Sequence, residues 1–218
     1  MSSPRMNIYG FPHKGLRNAL SQLQFEASKL DVSSHEQVAS FKALSETVVS
    51  LLALHQDAED SVMLPDIEAR APGSTTHNAH EHERLHTMVE SIEHQTEALT
   101  VGGAPEAHAH LFDAINDFFS DYLTHMAEEE REVNATIWEH FSDDEILGWQ
   151  GRIMAKLTPE QKMHWFRFIV PALTPFERQI MLGGVRANVP DEAYQAILTM
   201  LEQFMPASDL EPLRTHTH

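Results

Sequence analysis

Apolar residues recur at intervals of three and four positions along most of the first 141 residues, and no segment sustains the two-residue alternation of a half-buried strand. This pattern predicts four long amphipathic helices. They span about 12–30, from the Ser33–Ser34 cap to Arg70, about 76–99, and from Pro105 to about Ile137. Four such helices with short connections are typical of an antiparallel four-helix bundle, so we expect an all-α fold.

Beyond Phe141 the pattern changes to shorter segments that are rich in methionine and aromatic residues. Three of them open with a capping box, in which Ser or Thr is followed three residues later by Glu or Gln, at Ser142, Thr158 and Thr174. These signals predict about four short helices over 142–214. We therefore expect two domains, a bundle over 1–141 and a helical extension over 142–218 with a polar tail. The extension is expected to cover the bundle or to form a homodimer interface.

The charge balance argues against a nucleic-acid partner. The 218 residues include 33 Asp and Glu against 15 Lys and Arg, a net charge of −18, whereas phosphate binding needs clustered basic side chains. No window approaches the ~20 apolar residues of a membrane span, and residues 1–10 lack the apolar stretch of a secretory signal. We expect no membrane partner and a cytoplasmic location. The absence of cysteine excludes disulfides and thiolate metal ligands. No internal repeat at a fixed period is evident.

Histidine is unusually abundant, with 15 residues, as many as Lys and Arg together. When the apolar seam of each predicted bundle helix is extended, histidines and glutamates fall on it in every helix. These residues are His13, His55, Glu59, His82, His86, His125 and Glu129. A single seam histidine is more often a hydrogen-bonded core residue, but a carboxylate is almost never buried without a partner. A bound cation would satisfy the whole set, so we predict a metal site.

Coordination arithmetic favours two metal ions. Two bridging carboxylates, a shared oxo or hydroxo group and five imidazoles leave one position open on a pair of octahedral ions. Nitrogen and oxygen ligands with an open position suit iron, and no haem is predicted. A mononuclear zinc site needs only about four ligands and would leave the rest of the set unexplained.

The ordered set resembles the hemerythrin-like (HHE cation-binding) domain over about residues 8–141. The motifs, one on each helix, are His13, His55-x-x-x-Glu59, His82-x-x-x-His86 and His125-x-x-x-Glu129. The resemblance implies a non-haem di-iron centre in a four-helix bundle. It implies that His13 and His55 bind one iron. It implies that His82, His86 and His125 bind the other, and that Glu59 and Glu129 bridge the two ions.

Two alternatives remain open within this resemblance. Many members of the family use only one histidine on the third helix. On that pattern, either His82 or His86 would lie beside the metal site without binding the metal. Some members place the last carboxylate one residue later, which would select Glu130 in place of Glu129. On helical periodicity alone, Asp60 and Glu130 are predicted to lie on the solvated face.

Three functions follow from a di-iron site. The first is binding or sensing of a small ligand such as O₂ or NO, or of iron itself. The second is an enzyme that acts on peroxide or NO, or that donates iron to repair damaged clusters. The third is an interaction module in which 142–214 report the metal state to a partner. The chain shows no additional acid–base group that would require turnover, so we rank binding first and leave the question of enzyme activity open.

Overall fold

A computed structural model describes residues 5–215, and every regular element among them is a helix. Residues 1–4 and the last three residues of the predicted polar tail lie outside the described part of the chain. The helices are α1 (Gly10–Ser28), α2 (His35–Ala58), α3 (Leu64–Arg70), α4 (Thr76–Ala98), α5 (Pro105–Glu128), α6 (Asn134–His140), α7 (Asp143–Lys156), α8 (Pro159–Ala172), α9 (Pro175–Asn188), α10 (Asp191–Leu201) and α11 (Ala207–Thr215). Two single π-helical turns, π1 (Glu59–Met63) and π2 (Glu129–Val133), join α2 to α3 and α5 to α6.

The predicted four-helix bundle is confirmed. Its four rods are α1, α2 with α3, α4, and α5 with α6, and consecutive rods run antiparallel through short connections. The apolar seams face inward: Leu16, Leu51 and Leu111 are fully buried in one continuous core. At one end of the bundle the first and third connections meet, because the N–H of Gly102 donates to the carbonyl of Val32 over 2.8 Å.

The two π turns interrupt the two longest rods at matching places. In π1 the N–H of Leu64 bonds to the carbonyl of Glu59, and in π2 the N–H of Asn134 bonds to the carbonyl of Glu129. Both bonds span five residues in place of the four of an α-helix, so each turn holds one extra residue. Single π turns of this kind occur frequently at functional sites. Here each one begins at a predicted metal ligand.

The C-terminal extension contains five helices within its described residues 142–215, where the sequence predicts about four. The three predicted capping boxes are confirmed at Ser142, Thr158 and Thr174, each with both hydrogen bonds. Helix α8 lies along α1, where the amide of Asn18 donates to the carbonyl of Phe168 over 2.9 Å. The ring of Phe168 is fully buried in the bundle core. The extension therefore covers one side of the bundle, and its division from the bundle as a separate domain stays a prediction.

The rod His35–Arg70 is long and apolar enough, by length and composition, to cross a membrane. That property is weak evidence for a membrane span, because a buried bundle helix meets the same criteria. In the fold this rod contacts α1, α4 and α8 and carries two of the inward-facing metal-ligand candidates. The structure thus accounts for its apolar residues as packing within the bundle.

Close packing of α1 on α8 depends on a glycine. A Cβ atom on Gly15 would lie 2.5 Å from Cγ1 of Ile169 and 3.3 Å from its Cα. We expect Gly15→Ala to lower the free energy of unfolding by about 1–3 kcal/mol, the usual cost of overpacking. The matched control is Gly148→Ala in α7, where nothing lies within 4 Å of the added atom. The control should raise stability slightly, and urea denaturation would measure both. Equal stabilisation by the two variants would contradict the packing of α8 on α1.

Candidate metal centre

Six of the seven predicted ligands converge in the interior of the bundle. Helix α1 supplies His13, α2 with π1 supplies His55 and Glu59, α4 supplies His82, and α5 with π2 supplies His125 and Glu129. All six side chains are buried, with exposed fractions of 6% or less. Each rod of the bundle therefore contributes at least one of them, as the seam positions predict.

The first group consists of His13, His55, Glu59 and Glu129, whose ligand atoms all lie within 4.8 Å of one another. The Nε2 atoms of His13 and His55 are 3.2 Å apart. Oε2 of Glu129 lies 3.3 Å from Nε2 of His13, and Oε1 of Glu59 lies 3.3 Å from Nε2 of His55. The group therefore presents two imidazole nitrogens and one oxygen from each carboxylate.

The second group consists of Glu59, His82, His125 and Glu129, again within 4.8 Å. Oε2 of Glu59 lies 3.0 Å from Nε2 of His82, and Oε1 of Glu129 lies 3.2 Å from Nε2 of His125. These are the carboxylate oxygens that the first group does not use in its closest contacts. Each glutamate therefore directs one oxygen to each group, which is the arrangement of a bridging ligand.

The predicted ligand His86 lies outside this cluster. Its side chain is 60% exposed and pairs with Glu90 on the same helix, with 3.4 Å between Nε2 and the carboxylate. The structure thus brings together four of the five predicted imidazoles, and of the two alternatives on α4 it places His82 in the cluster and His86 outside it. Of Glu129 and Glu130, only Glu129 belongs to both groups.

Four polar residues support the cluster from outside. Nδ1 of His82 donates to Asp60 over 2.7 Å, and Nδ1 of His13 donates to Glu130 over 3.0 Å. The amide of Asn78 donates to Oε1 of Glu129 over 2.8 Å. Arg17 in turn holds both oxygens of Glu130. Hydrogen bonds of this kind fix the ring orientation and leave Nε2 free to bind a metal. Helical periodicity alone places Asp60 and Glu130 on the solvated face. It gives no reason to single out Asn78, since a polar residue one turn before a histidine is common.

The pKa values of the two buried carboxyls shift in opposite directions. Burial and the charge of Glu129 raise the pKa of Glu59 to about 8. Burial also acts to raise the pKa of Glu129, but three neighbouring imidazoles outweigh it and hold that pKa well below its usual range. The environment of the metal-free cluster therefore favours the neutral form of Glu59 and the ionised form of Glu129.

The pKa values of the imidazoles also shift in different directions. Burial and the nearby His13 lower the pKa of His55 well below its usual value. Burial acts to lower the pKa of His82 as well, but the carboxylates of Asp60, Glu129 and Glu59 raise it to about 12. Burial likewise opposes protonation of His13, whose carboxylate neighbours raise its pKa to about 8. Metal ions bind the deprotonated forms, so metal uptake must displace protons from this cluster.

The donor set fits a metal centre. Three of the four oxygens of Glu59 and Glu129 are buried without a hydrogen-bond donor among the described residues. A buried carboxylate in that state is costly, and a cation bound between the carboxylates and imidazoles would remove the cost. Nitrogen and oxygen donors of this type suit iron, manganese or zinc. The cluster is thus a metal-binding site by its burial, its geometry and its chemistry.

Three aromatic residues line the histidines. The ring of Tyr9 lies 4.9 Å from that of His13, and the ring of Tyr122 lies 5.7 Å from that of His125. Burial and the charges of Glu59 and Glu129 raise the pKa of both tyrosines, so both hydroxyls stay protonated. From the C-terminal extension, Trp165 meets the ring of His55 edge-on at 6.5 Å.

The contact of Asp60 with His82 yields a prediction on metal affinity. Removing the acceptor frees the ring to rotate and weakens its Nε2 as a donor, so Asp60→Ala should lower metal affinity by about 10–100-fold. Competition with a chelator of known affinity measures this loss. The matched control is Asp57→Ala on the preceding turn, whose carboxylate pairs with Lys156 and has no bond to a histidine in the described part of the chain. Equal loss in both variants would show that the hydrogen bond to His82 does not matter.

Comparisons with known proteins agree with this geometry. The family model of the hemerythrin HHE cation binding domain matches residues 11–137. The zinc finger protein BRUTUS-like of Arabidopsis thaliana is 23% identical over 196 residues, which cover 88% of this chain and 16% of that protein. No solved structure matches the chain significantly. The family match covers more than half of the chain and includes all six residues of the metal cluster. The chain therefore belongs to the hemerythrin HHE cation-binding domain family.

Proposed function

We propose that this chain is a non-haem di-iron protein that binds or senses O₂, NO or iron itself. The observation that carries the proposal is the shared use of two carboxylates. Each group pairs two imidazoles with one oxygen of Glu59 and one of Glu129. A single ion would leave half of these donors unsatisfied in a buried site. Two iron ions, bridged by both glutamates and by an oxo or hydroxo group, would use all of them without haem.

The residues of the chain have separate roles in this proposal. His13 and His55 would hold one ion, His82 and His125 the other, and Glu59 and Glu129 both. Asp60 and Glu130 keep the Nδ1 protons of His82 and His13 directed outward, so that Nε2 faces the ions. When bound, iron supplies the capacity to coordinate a small ligand and to change its oxidation state.

With four imidazoles in place of five, the two octahedral ions would keep two positions open in place of one. More open positions favour a sensor or an enzyme over a reversible carrier. The proposed external partner is accordingly a small diatomic molecule or peroxide, and the proposed location is the cytoplasm. An enzyme that acts on peroxide or NO, or that donates iron, is the alternative with the same site.

Gas titration of the iron-loaded protein tests this proposal and separates its alternatives. Protein loaded with Fe²⁺ without oxygen would be titrated with O₂ and with NO while its visible spectrum is recorded. A spectral change that saturates near one molecule per chain and reverses on removal of the gas supports binding. Continued consumption of peroxide or NO, absent in Glu59→Gln, supports the enzyme. No spectral response to either gas, together with no consumption of peroxide, would refute both gas binding and the enzyme.

A metal-responsive interaction module has a specific observation in its favour. Helix α7 contacts π1, where Lys156 bonds to Ser61 and Arg152 bonds to the carbonyl of Val62. The segment that carries Glu59 is thereby linked to the extension. This function predicts that iron removal changes protease cleavage within 142–214, whereas an unchanged cleavage pattern would contradict it.

A further inference from the structure

The two halves of the metal cluster occupy equivalent places in the chain. His55 and His125 are 70 residues apart, as are Glu59 and Glu129 and the starts of π1 and π2. His13 and His82 are 69 residues apart. In each half, the acidic residue after the glutamate supports the histidine of the other half, Asp60 with His82 and Glu130 with His13. The halves can therefore be compared position by position.

The comparison shows a difference one turn after the first histidine of each half. Arg17 follows His13 by four residues and holds both oxygens of Glu130, at 2.6 and 3.1 Å. His86 follows His82 by four residues but turns away to Glu90. Asp60 has the amide of Gln56 as its second partner. Glu130, which bonds to His13, is thus held by a guanidinium. Asp60, which bonds to His82, is not.

The C-terminal extension covers the two groups unequally. Trp165 lies against His55, and Ile169 packs against Gly15, two residues after His13. The first group therefore lies beneath α8 at His55, and α1, which carries His13, packs against the same helix. Neither histidine of the second group has a ring contact with the extension among the described residues.

A cavity of about 130 Å³ opens between α2, α4 and α5 beside the second group. Its inner end is lined by His82 and His125, together with His55, and its outer rim includes the exposed His86 and Glu93. Apolar residues such as Val89 form the wall between. His13 does not line it. The cavity can hold an ion and a few waters, and it reaches both imidazoles of the second group but only one of the first.

We propose that the two metal positions differ in lability. The ion held by His82 and His125 exchanges with solvent through the cavity, whereas the ion held by His13 and His55 is retained beneath α8 and the Arg17 clamp. The exchangeable species is a divalent cation such as Fe²⁺. This inference rests on the proposed two-ion site, and it assigns the exchangeable iron to one half of the bundle.

Chelation kinetics of the loaded protein test the inference. Protein carrying Fe²⁺ would be mixed anaerobically with a chromogenic chelator, after its metal content has been measured. We expect two phases of equal amplitude whose rates differ by at least about tenfold, the scale on which supporting hydrogen bonds affect metal binding. Fewer than two ions before chelation would refute the proposed di-iron site itself. Two ions that leave in a single phase would refute only the difference in lability.

Two variants assign the phases. Val89→Trp narrows the cavity and should slow the fast phase alone. Arg17→Ala releases Glu130 and should accelerate the slow phase alone. The matched control is Lys14→Ala, which removes a neighbouring cation that pairs with Glu177 on α9 and should change neither rate. Acceleration of the fast phase by Arg17→Ala, with the slow phase unchanged, would overturn the assignment even if Val89→Trp failed to fold.

Discussion

Glu59→Gln is expected to abolish the binding of two metal ions while leaving the metal-free protein folded. An amide has one oxygen in place of two equivalent ones, and it carries no charge, so it cannot bridge two cations. Glutamine can offer its single oxygen to only one group, so at least one group loses a donor. We expect affinity for both ions to fall by at least about 100-fold, since even the loss of a supporting residue costs 10–100-fold.

The metal-free variant should be at least as stable as the metal-free wild type at pH 7. In the folded wild type the pKa of Glu59 is raised to about 8, which favours its neutral form at pH 7. In the unfolded chain the same group is ionised, and folding at pH 7 must take up a proton at a cost. That cost grows as pH rises from the unfolded pKa towards about 8, and glutamine does not incur it.

Metal analysis and thermal unfolding of the two proteins would check both statements. The matched control is His86→Ala, which removes an exposed imidazole one turn from His82 and should retain full metal content. Full metal content in Glu59→Gln would contradict the bridging role. Loss of metal in His86→Ala would contradict the exclusion of His86 from the site.

Removal of the metal from the wild type should lower its unfolding temperature strongly. The metal binds only the folded cluster, because its ligands come from four separate rods. A ligand present at 1,000 times its dissociation constant stabilises the folded state by about 4 kcal/mol. For a chain of this size each kcal/mol corresponds to about 2–4 °C, so we expect a decrease of roughly 8–16 °C on chelation.

Differential scanning calorimetry of loaded, chelated and reloaded protein measures this decrease. Mg²⁺ serves as the control cation, because it prefers oxygen ligands and water over imidazole. Reloading with Fe²⁺ should restore the unfolding temperature, and Mg²⁺ should not. An unfolding temperature unaffected by chelation would mean that the buried histidines and glutamates satisfy one another without a metal.

The fold and most of the site were predictable because both depend on the inward-facing apolar seam of each bundle helix. On α4 the buried residues are Asn78, His82, Leu85, Ile92 and Thr96. His86 comes one residue after Leu85 and so lies about 100° around the helix from it. Four-residue spacing from His82 is therefore insufficient evidence of a ligand, because a narrow seam excludes one of the two positions.

The supporting residues were not predictable from helical periodicity. Asp60 and Glu130 directly follow Glu59 and Glu129, and an uninterrupted α-helix would direct them to solvent. Each belongs to a π turn, which changes the direction of the residues within it. Pro65 follows π1 closely, but no proline follows π2 in α6, so local sequence does not mark both turns. The 70-residue equivalence of the two halves was likewise not evident from the sequence, because few residues other than the ligands repeat.

Metal content per chain, measured by mass spectrometry on protein purified from iron-replete cells together with its near-ultraviolet spectrum, tests the central claim most directly. The account predicts two irons per chain and the absorption of an oxo-bridged pair. One zinc per chain, or a well-folded protein that contains no metal, would contradict it.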